Sequence, residues 1–586
     1  MARVKSMLTV LMRWSWFGIL VFLAFSYLVA GLSTTQSRSG PANAQPVADT
    51  GDPSDPSDRN GLSSSHDSKG ERTDDDATTS SAESMDVAVA KVNEVWRDSL
   101  NDQGLQPAEM ADWMTICRRM SLAMVGNGLS LEEIRQLEQL PPDQRESRHL
   151  TTLLRDSRHH HYWGERWARF LVGTDEGQFV LYRRRRFRVW LADVFAQNWS
   201  YDKIVRKLLT AEGLWTDSPE VNFLTATFDS NDGQPDPVRL AARTSRAFLG
   251  LRIDCLQCHD DFLGNVSLGD VDDPRDGLQT DFHQLAAFFT SAKTSGLQGV
   301  QDGEPDYQYK YLDAKEETKV QPAVPYSPEL LPDEGRPRMR LAKWVTHPEN
   351  RQAARAAVSH VWALLYGKSA VESVDNLPLD ETTTPVLEAL ADDFVANGFD
   401  LRRLIRLITR SDAFRVESRA DFEVTPKHEQ AGAVFPLVRL RPEQMAGTII
   451  QSSRIKSIDR ESSLLVQLQK FGGTNDFVKR YGDVGEDEFS SDSVTITQRL
   501  VMLNGNMLKE AVDYNPILNA SSHVDMFAKD NPHAVDIVYL CVLNRYPAEI
   551  EREHFVSRIA EAKNRASAIE DLFWVLLNST ELAWNH

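Results

Sequence analysis

The sequence predicts a mainly α-helical protein, with two helical domains behind an N-terminal transmembrane or signal segment and a disordered linker. Three observations carry this. An uncharged apolar run near the N-terminus follows positive charges. A long Ser-, Asp-, Thr- and Pro-rich stretch comes next. Beyond it, apolar residues recur at helical spacing, with capping residues at the ends of the runs.

Arg3, Lys5 and Arg13 precede the run Trp14–Leu32, which is long enough to cross a bilayer as one helix. The positive charges place the N-terminus in the cytoplasm and the rest of the chain outside. Residues 1–32 therefore read as a signal anchor. The competing reading is a signal peptide cleaved near Ala42-Asn43-Ala44, which would release a secreted protein. Both export the bulk of the chain, to the periplasm or cell surface, and the anchor makes it a single-pass membrane protein. Residues 33–85 have almost no large apolar side chains, as in Asp52-Pro53-Ser54-Asp55-Pro56, and read as a disordered acidic linker.

The next segments read as helices from their caps and faces. Ser130 stands as N-cap before Glu132 and Glu133, with Leu131, Ile134, Leu137 and Leu140 on one face. Phe187, Trp190, Leu191 and Phe195 form another face. Thr384 caps a helix with Pro385 in its first position and Val386, Leu390, Phe394 and Val395 inward, stopped at Asn397-Gly398. Asp400 caps the next, with Leu401, Leu404, Ile405 and Ile408. Ser493-Val494-Thr495-Ile496 reads as a short strand. The predicted division is a first helical domain at 86–290, an irregular connecting region at 291–335, and a second helical domain at 336–586. The acidic patch Gly269–Gly277 matches no EF-hand spacing and reads as a solvated loop.

A net charge of −20 over 586 residues argues against nucleic acid as a partner, since phosphate contacts need a basic surface. Four cysteines are too few for a disulfide scaffold. Cys117 and Cys541 read as buried free thiols, with a Cys117–Cys541 bridge as the alternative. Cys255 and Cys258 belong to Cys255-Leu256-Gln257-Cys258-His259, the spacing that attaches haem c. On a helical turn, cysteines at i and i+3 share a face and reach two vinyl groups, and the adjacent histidine lies under the iron. Chance would produce this spacing about 0.0005 times in a chain of this composition, so coincidence explains it poorly. Three other readings stand beside haem: a redox-active pair, a zinc site and a structural disulfide. The first lacks a thioredoxin-like βαβ context, and the second lacks a further ligand pair at suitable spacing. Met114, Met120, Met124 and Met339 are the sixth-ligand candidates. The basic run Arg183–Arg186 with Arg188 reads as salt bridges to the many carboxylates, with an anion site as the sharper alternative. His159-His160-His161 reads as a surface cluster.

These stretches resemble the two-domain, cytochrome-c-like secreted or anchored proteins of Planctomycetes. Tyr162–Arg169 is similar to that family's Tyr-Gly-Glu-Arg-Trp-Ala-Arg segment. Arg246–Leu251 leading into the cysteine motif is similar to its haem-motif helix, and Leu285–Phe289 to the segment after it. In the second domain, Arg340–Trp344, His347–Asn350, Val361-Trp362, Gly367-Lys368, Leu401–Ile405 and Leu576–Ser579 also fit. The resemblance implies a first domain bearing the haem motif and a second helical domain of unknown function. It departs twice: Asp261 and Phe170 stand where the family has histidines. Only Cys255, Cys258 and His259 carry over, as two thioether anchors and a proximal iron ligand. The function expected is a redox or electron-transfer role with an unidentified redox partner. The alternative is a haem-free helical binding or scaffold protein of the envelope, linked to polysaccharide handling.

Overall fold

The computed structural model describes residues 74–586 except 175–181, 265, 271–272, 313, 378, 380–383, 459–461, 463–472, 475–476, 483–488 and 490–495. The run Trp14–Leu32 and the tether after it lie outside the described residues. Among the described residues no helix is long and apolar enough to cross a membrane. Among the described residues helices dominate, and the strands form four two-stranded antiparallel pairs.

The locally signalled helices form where their caps stand. Ser130 and Glu133 make a reciprocal capping box on the helix Leu131–Glu138, which buries Leu131, Ile134 and Leu137. The Asp400 carboxylate accepts from the backbone N–H of Arg402 and Arg403 and opens the helix Leu401–Arg410. Thr384 caps Pro385–Ala396 through the N–H of Leu387. The first described helix begins at Asp74, inside the stretch read as linker, and runs to Gln103. Ile496 opens the helix Ile496–Asn504 rather than ending a strand; the rest of that strand reading, 493–495, lies outside the described residues. The acidic patch forms a hairpin of Ser267–Asp270 against Asp273–Asp276.

Two buried clusters organise the packing. The first runs from Met85 to Phe435, and its middle is the helix Arg351–Tyr366, which buries every residue from Gln352 onward. An alanine-rich stretch, Ala353–Ala357, lets neighbouring helices approach this centre from several sides. The helices Ser157–Val172 and Arg184–Ala196 pack so tightly that a Cβ on Gly164 would lie 2.9 Å from the Arg188 carbonyl oxygen. The second cluster joins Leu131–Glu138 to the C-terminal helices Asn531–Leu543 and Arg565–Leu577. The helix Trp113–Val125 serves both, giving Ile116, Met120 and Met124 to the first cluster and Cys117 and Leu122 to the second. Arg119 on that helix is fully buried. It donates to the carbonyls of Phe414 (2.9 Å), Val416 (2.8 Å) and His586 (2.9 Å), so the chain's last residue is tied to the junction.

The stretch between residues 291 and 335 is held in the same way. Arg338 is fully buried, donates to Asp302 at 2.7 Å, and donates to the carbonyls of Leu209 and Ala211. Val300 and Tyr326 from this stretch join the first cluster.

Candidate cofactor site

The helix Pro237–Leu249 delivers the cysteine motif. It ends at Gly250 in the left-handed region (φ 61°), where a Cβ would lie 2.9 Å from Leu377 Cδ1. The chain then enters a 3-10 turn, Asp254–Gln257, and the N–H of Cys258 closes it on the Cys255 carbonyl at 3.2 Å. Leu256 points inward and is fully buried, whereas Cys255 and Cys258 are both exposed and unbonded. Partial burial, followed by the nearby Asp261 charge, raises the Cys255 thiol above its ordinary value.

One carbonyl holds the turn in place. Gln257 O accepts from Gln279 Nε2 (3.1 Å), His283 Nε2 (3.0 Å) and Tyr309 OH (3.2 Å). His283 therefore carries its proton on Nε2, which leaves Nδ1 to accept from Tyr307 OH at 2.7 Å. Its ring stacks on Tyr309, centroids 3.5 Å apart, and burial keeps it in the neutral form. On the other flank, Arg246 Nε donates to Asp254 at 2.7 Å. These partners lie 22 to 52 residues from Gln257, and no spacing in the sequence announces them.

His259 is exposed, with its Nδ1 2.7 Å from the Asp260 carbonyl oxygen. That contact makes Nδ1 the donor and leaves Nε2 with a lone pair, the arrangement that orients a metal-binding imidazole. The Phe262 ring lies nearly parallel to it at 6.2 Å, and Phe262 and Leu263 are themselves exposed. Among the described residues no three His, Cys, Asp or Glu side chains converge as a metal site. Two exposed thiols three residues apart on one turn, followed by an oriented imidazole, fit the attachment chemistry of haem c.

Both positions that depart from the resemblance have structural work to do. The Asp261 side chain is buried and accepts from the N–H of Leu263 (3.0 Å) and Val266 (2.5 Å), turning the chain into the hairpin. Phe170 stacks on a different histidine, His360, at 3.8 Å. Met120 and Met124 are core residues, while Met339 is exposed.

The chain matches two family models. Residues 91–294 match PSCyt2, described as a protein of unknown function (DUF1549), and residues 337–472 match PSD1, described as a protein of unknown function (DUF1553). Both families are planctomycete in type, and no cytochrome-c domain is shown by these matches. No curated protein and no solved structure matches the chain. The cysteine motif falls inside the PSCyt2 match, and so do Gln279 and His283; Tyr309 lies between the two matches.

The remaining candidates divide by burial. Arg184 and Arg188 of the basic run meet Glu165 at 2.8 and 3.2 Å, and Arg169 meets it at 3.3 Å, so this part of the run is a salt-bridge network. Burial alone would raise the Glu165 carboxyl, but the Arg184 hydrogen bond and the surrounding guanidiniums hold it down to about 2. The histidine cluster is not a surface feature. His159 and His160 are buried, and only His161 is exposed. His159 packs on Trp163 and meets the Met124 carbonyl at 3.2 Å, and His160 meets the Leu154 carbonyl at 3.1 Å. Cys117 and Cys541 are buried free thiols in the second cluster.

Proposed function

We propose that this chain is a membrane-tethered, extracytoplasmic protein that carries one covalent haem c and serves a redox or electron-transfer role. Cys255 and Cys258 form the thioether bonds, and His259 ligates iron through Nε2. The observation that carries this reading is the pair of exposed, unbonded thiols on one turn, with His259 oriented beside them. A bound haem supplies one-electron transfer at the protein surface. The chain's own part is positional. The Gln257 carbonyl, held by three donors, keeps the turn rigid, and the Asp260 carbonyl fixes the imidazole tautomer. Export is supported by Arg3, Lys5 and Arg13 ahead of Trp14–Leu32.

The second reading is a haem-free helical binding or scaffold protein of the envelope. The exposure of Phe262 and Leu263, at 77% and 84%, favours it, because the motif then has no enclosing apolar wall. Colour separates the two. Expressed in an envelope with haem c maturation machinery, the protein should be red, and its pyridine haemochrome band should survive denaturation. Cys255→Ala with Cys258→Ala should abolish the band. Colourless wild-type protein from that host would leave the scaffold reading standing.

A further inference from the structure

The helix Gln279–Ala287 carries His283, which is fully buried. Beside it runs the segment Tyr307–Tyr311, whose strand Gln308–Tyr309 pairs with Thr318–Lys319. Residues two apart in an extended segment share a face, so Tyr307, Tyr309 and Tyr311 all turn toward the imidazole. Their ring centroids lie 5.9, 3.5 and 5.9 Å from that of His283. The tyrosines also follow one another closely, at 6.4 Å from Tyr307 to Tyr309 and 5.3 Å from Tyr309 to Tyr311.

The imidazole is held at both nitrogens. Nε2–H donates to the Gln257 carbonyl at 3.0 Å, which leaves Nδ1 as an acceptor, and the Tyr307 hydroxyl donates to Nδ1 at 2.7 Å. Gln257 lies between Cys255 and Cys258, so two hydrogen bonds join the phenol to the cysteine motif. At this distance a base takes the phenolic proton directly, with no intervening water. Burial raises the Tyr307 phenol above its ordinary value, with Tyr309 and Tyr311 adding to the effect, and burial lowers the imidazole. Both partners are therefore neutral at rest, and the proton stays on oxygen. Loss of an electron reverses that preference, because an oxidised phenol is a strong acid. A phenol without a base in contact must lose its electron first and form a charged radical, which a half-buried site disfavours. Beside Nδ1 the proton and the electron leave together.

We propose that Tyr307 is a redox-active tyrosine, which gives one electron to a peroxide-derived radical arriving at the exposed Cys255–His259 turn while its phenolic proton passes to His283 Nδ1. The Tyr307 O–H bond breaks and an N–H bond forms at Nδ1. The products are a neutral tyrosyl radical, an imidazolium and the reduced oxidant. The imidazolium keeps an acceptor at each N–H, the Gln257 carbonyl at Nε2 and the phenoxyl oxygen at Nδ1. Return of an electron brings the proton back. Tyr309 and Tyr311 carry the oxidising equivalent inward from the surface, ring by ring. The inference is independent of haem attachment.

Flash oxidation of the full-length protein in detergent tests it, using protein from a host without haem c maturation machinery. A tris-bipyridyl ruthenium(II) complex with a cobalt(III) ammine quencher generates the ruthenium(III) oxidant in solution, and freeze-quench electron paramagnetic resonance reads the radical. Wild type should give a neutral tyrosyl signal. Tyr307→Phe keeps the ring and loses only the hydroxyl, and should cut that signal several-fold. His283→Gln keeps a donor for the Gln257 carbonyl but no base, and should shorten the radical lifetime roughly tenfold or more. Tyr546→Phe removes an exposed phenol that donates to the Glu138 carboxylate at 2.6 Å, and should leave the signal unchanged. The oxidant comes from solution, so a failure of the haem reading leaves this test in force. Absence of a tyrosyl signal in wild type overturns the proposal. So does a signal that survives Tyr307→Phe, or a Tyr307 radical whose lifetime His283→Gln does not shorten.

Discussion

The molecule holds two pairs of cysteines in opposite surroundings. Cys255 and Cys258 stand exposed on a 3-10 turn whose Leu256 is driven inward, whereas Cys117 and Cys541 are sealed in the second cluster. Burial raises the Cys117 thiol, with Glu146 adding to the effect, and raises Cys541 to about 12. The same residue type is therefore an accessible surface group in one region and a small apolar filler in the other. A parallel contrast holds for histidine. His259 is exposed with an available nitrogen, while His149, His159 and His360 are enclosed and neutral. Access to a thiol or an imidazole in this chain follows from which side of a turn or helix faces the core.

Alkylation offers the largest break in the contrast. In protein made without haem, iodoacetamide should modify Cys255 and Cys258 roughly a thousandfold or more faster than Cys117 and Cys541. The buried thiols react only through opening of a stable core. Peptide mapping over time reads the ratio, and labelling of Cys541 as fast as Cys258 would contradict the burial.

Acid sharpens the histidine contrast. His149 is pushed down to about 4, and His159 and His360 to about 3, all below the ordinary value near 6.5 in the unfolded chain. The unfolded state therefore binds protons first. Stability present above about pH 6.5 should be lost as pH falls towards 4, on the order of a few kcal/mol for His149 alone. Glu165 and Glu443, held near 2, add their own loss only below about pH 4.5. Thermal melts between pH 8 and 4 check this, and His360→Leu should flatten the slope. A melting temperature constant down to pH 4.5 would count against neutral buried imidazoles.

Serine substitution probes the same contrast at a smaller scale. Cys541→Ser places a hydroxyl in the sealed cluster and should cost about 1–3 kcal/mol in urea denaturation. Cys258→Ser at the surface should stay within about 0.5 kcal/mol. Equal losses at the two sites would erase the distinction.

Asp261→Ala is the most local change. It removes the acceptor for the N–H groups of Leu263 and Val266 and should cost about 1 kcal/mol. Asp261→His should do no better, because an imidazole does not reproduce both acceptor contacts. A stabilising Asp261→His would show that the loop was built for a histidine.

What the sequence made legible was local. Ser130, Thr384 and Asp400 cap helices because each side chain reaches the N–H of a residue two or three positions on, and that geometry is written in adjacent residues. The cysteine motif was legible for the same reason. His159 and His160 were misplaced because burial depends on Trp163 and on the carbonyls of Met124 and Leu154, which only packing brings near. The triple anchor on Gln257 and the hydrogen bond from Tyr307 to His283 join residues from distant segments, and helical periodicity says nothing about such pairs. The linker reading reaches residue 85 whereas the helix begins at Asp74, because Asp74–Ser84 carries no large apolar residue in which a helical pattern could show.

Haem attachment at the turn Cys255–Cys258, as proposed, is decided by peptide mass. Wild-type protein from an envelope with haem c maturation machinery should be digested and the peptide spanning Cys255 to His259 weighed. This peptide should carry the added mass of one haem and no free thiol. A peptide with two titratable thiols, or with a Cys255–Cys258 disulfide, would contradict it.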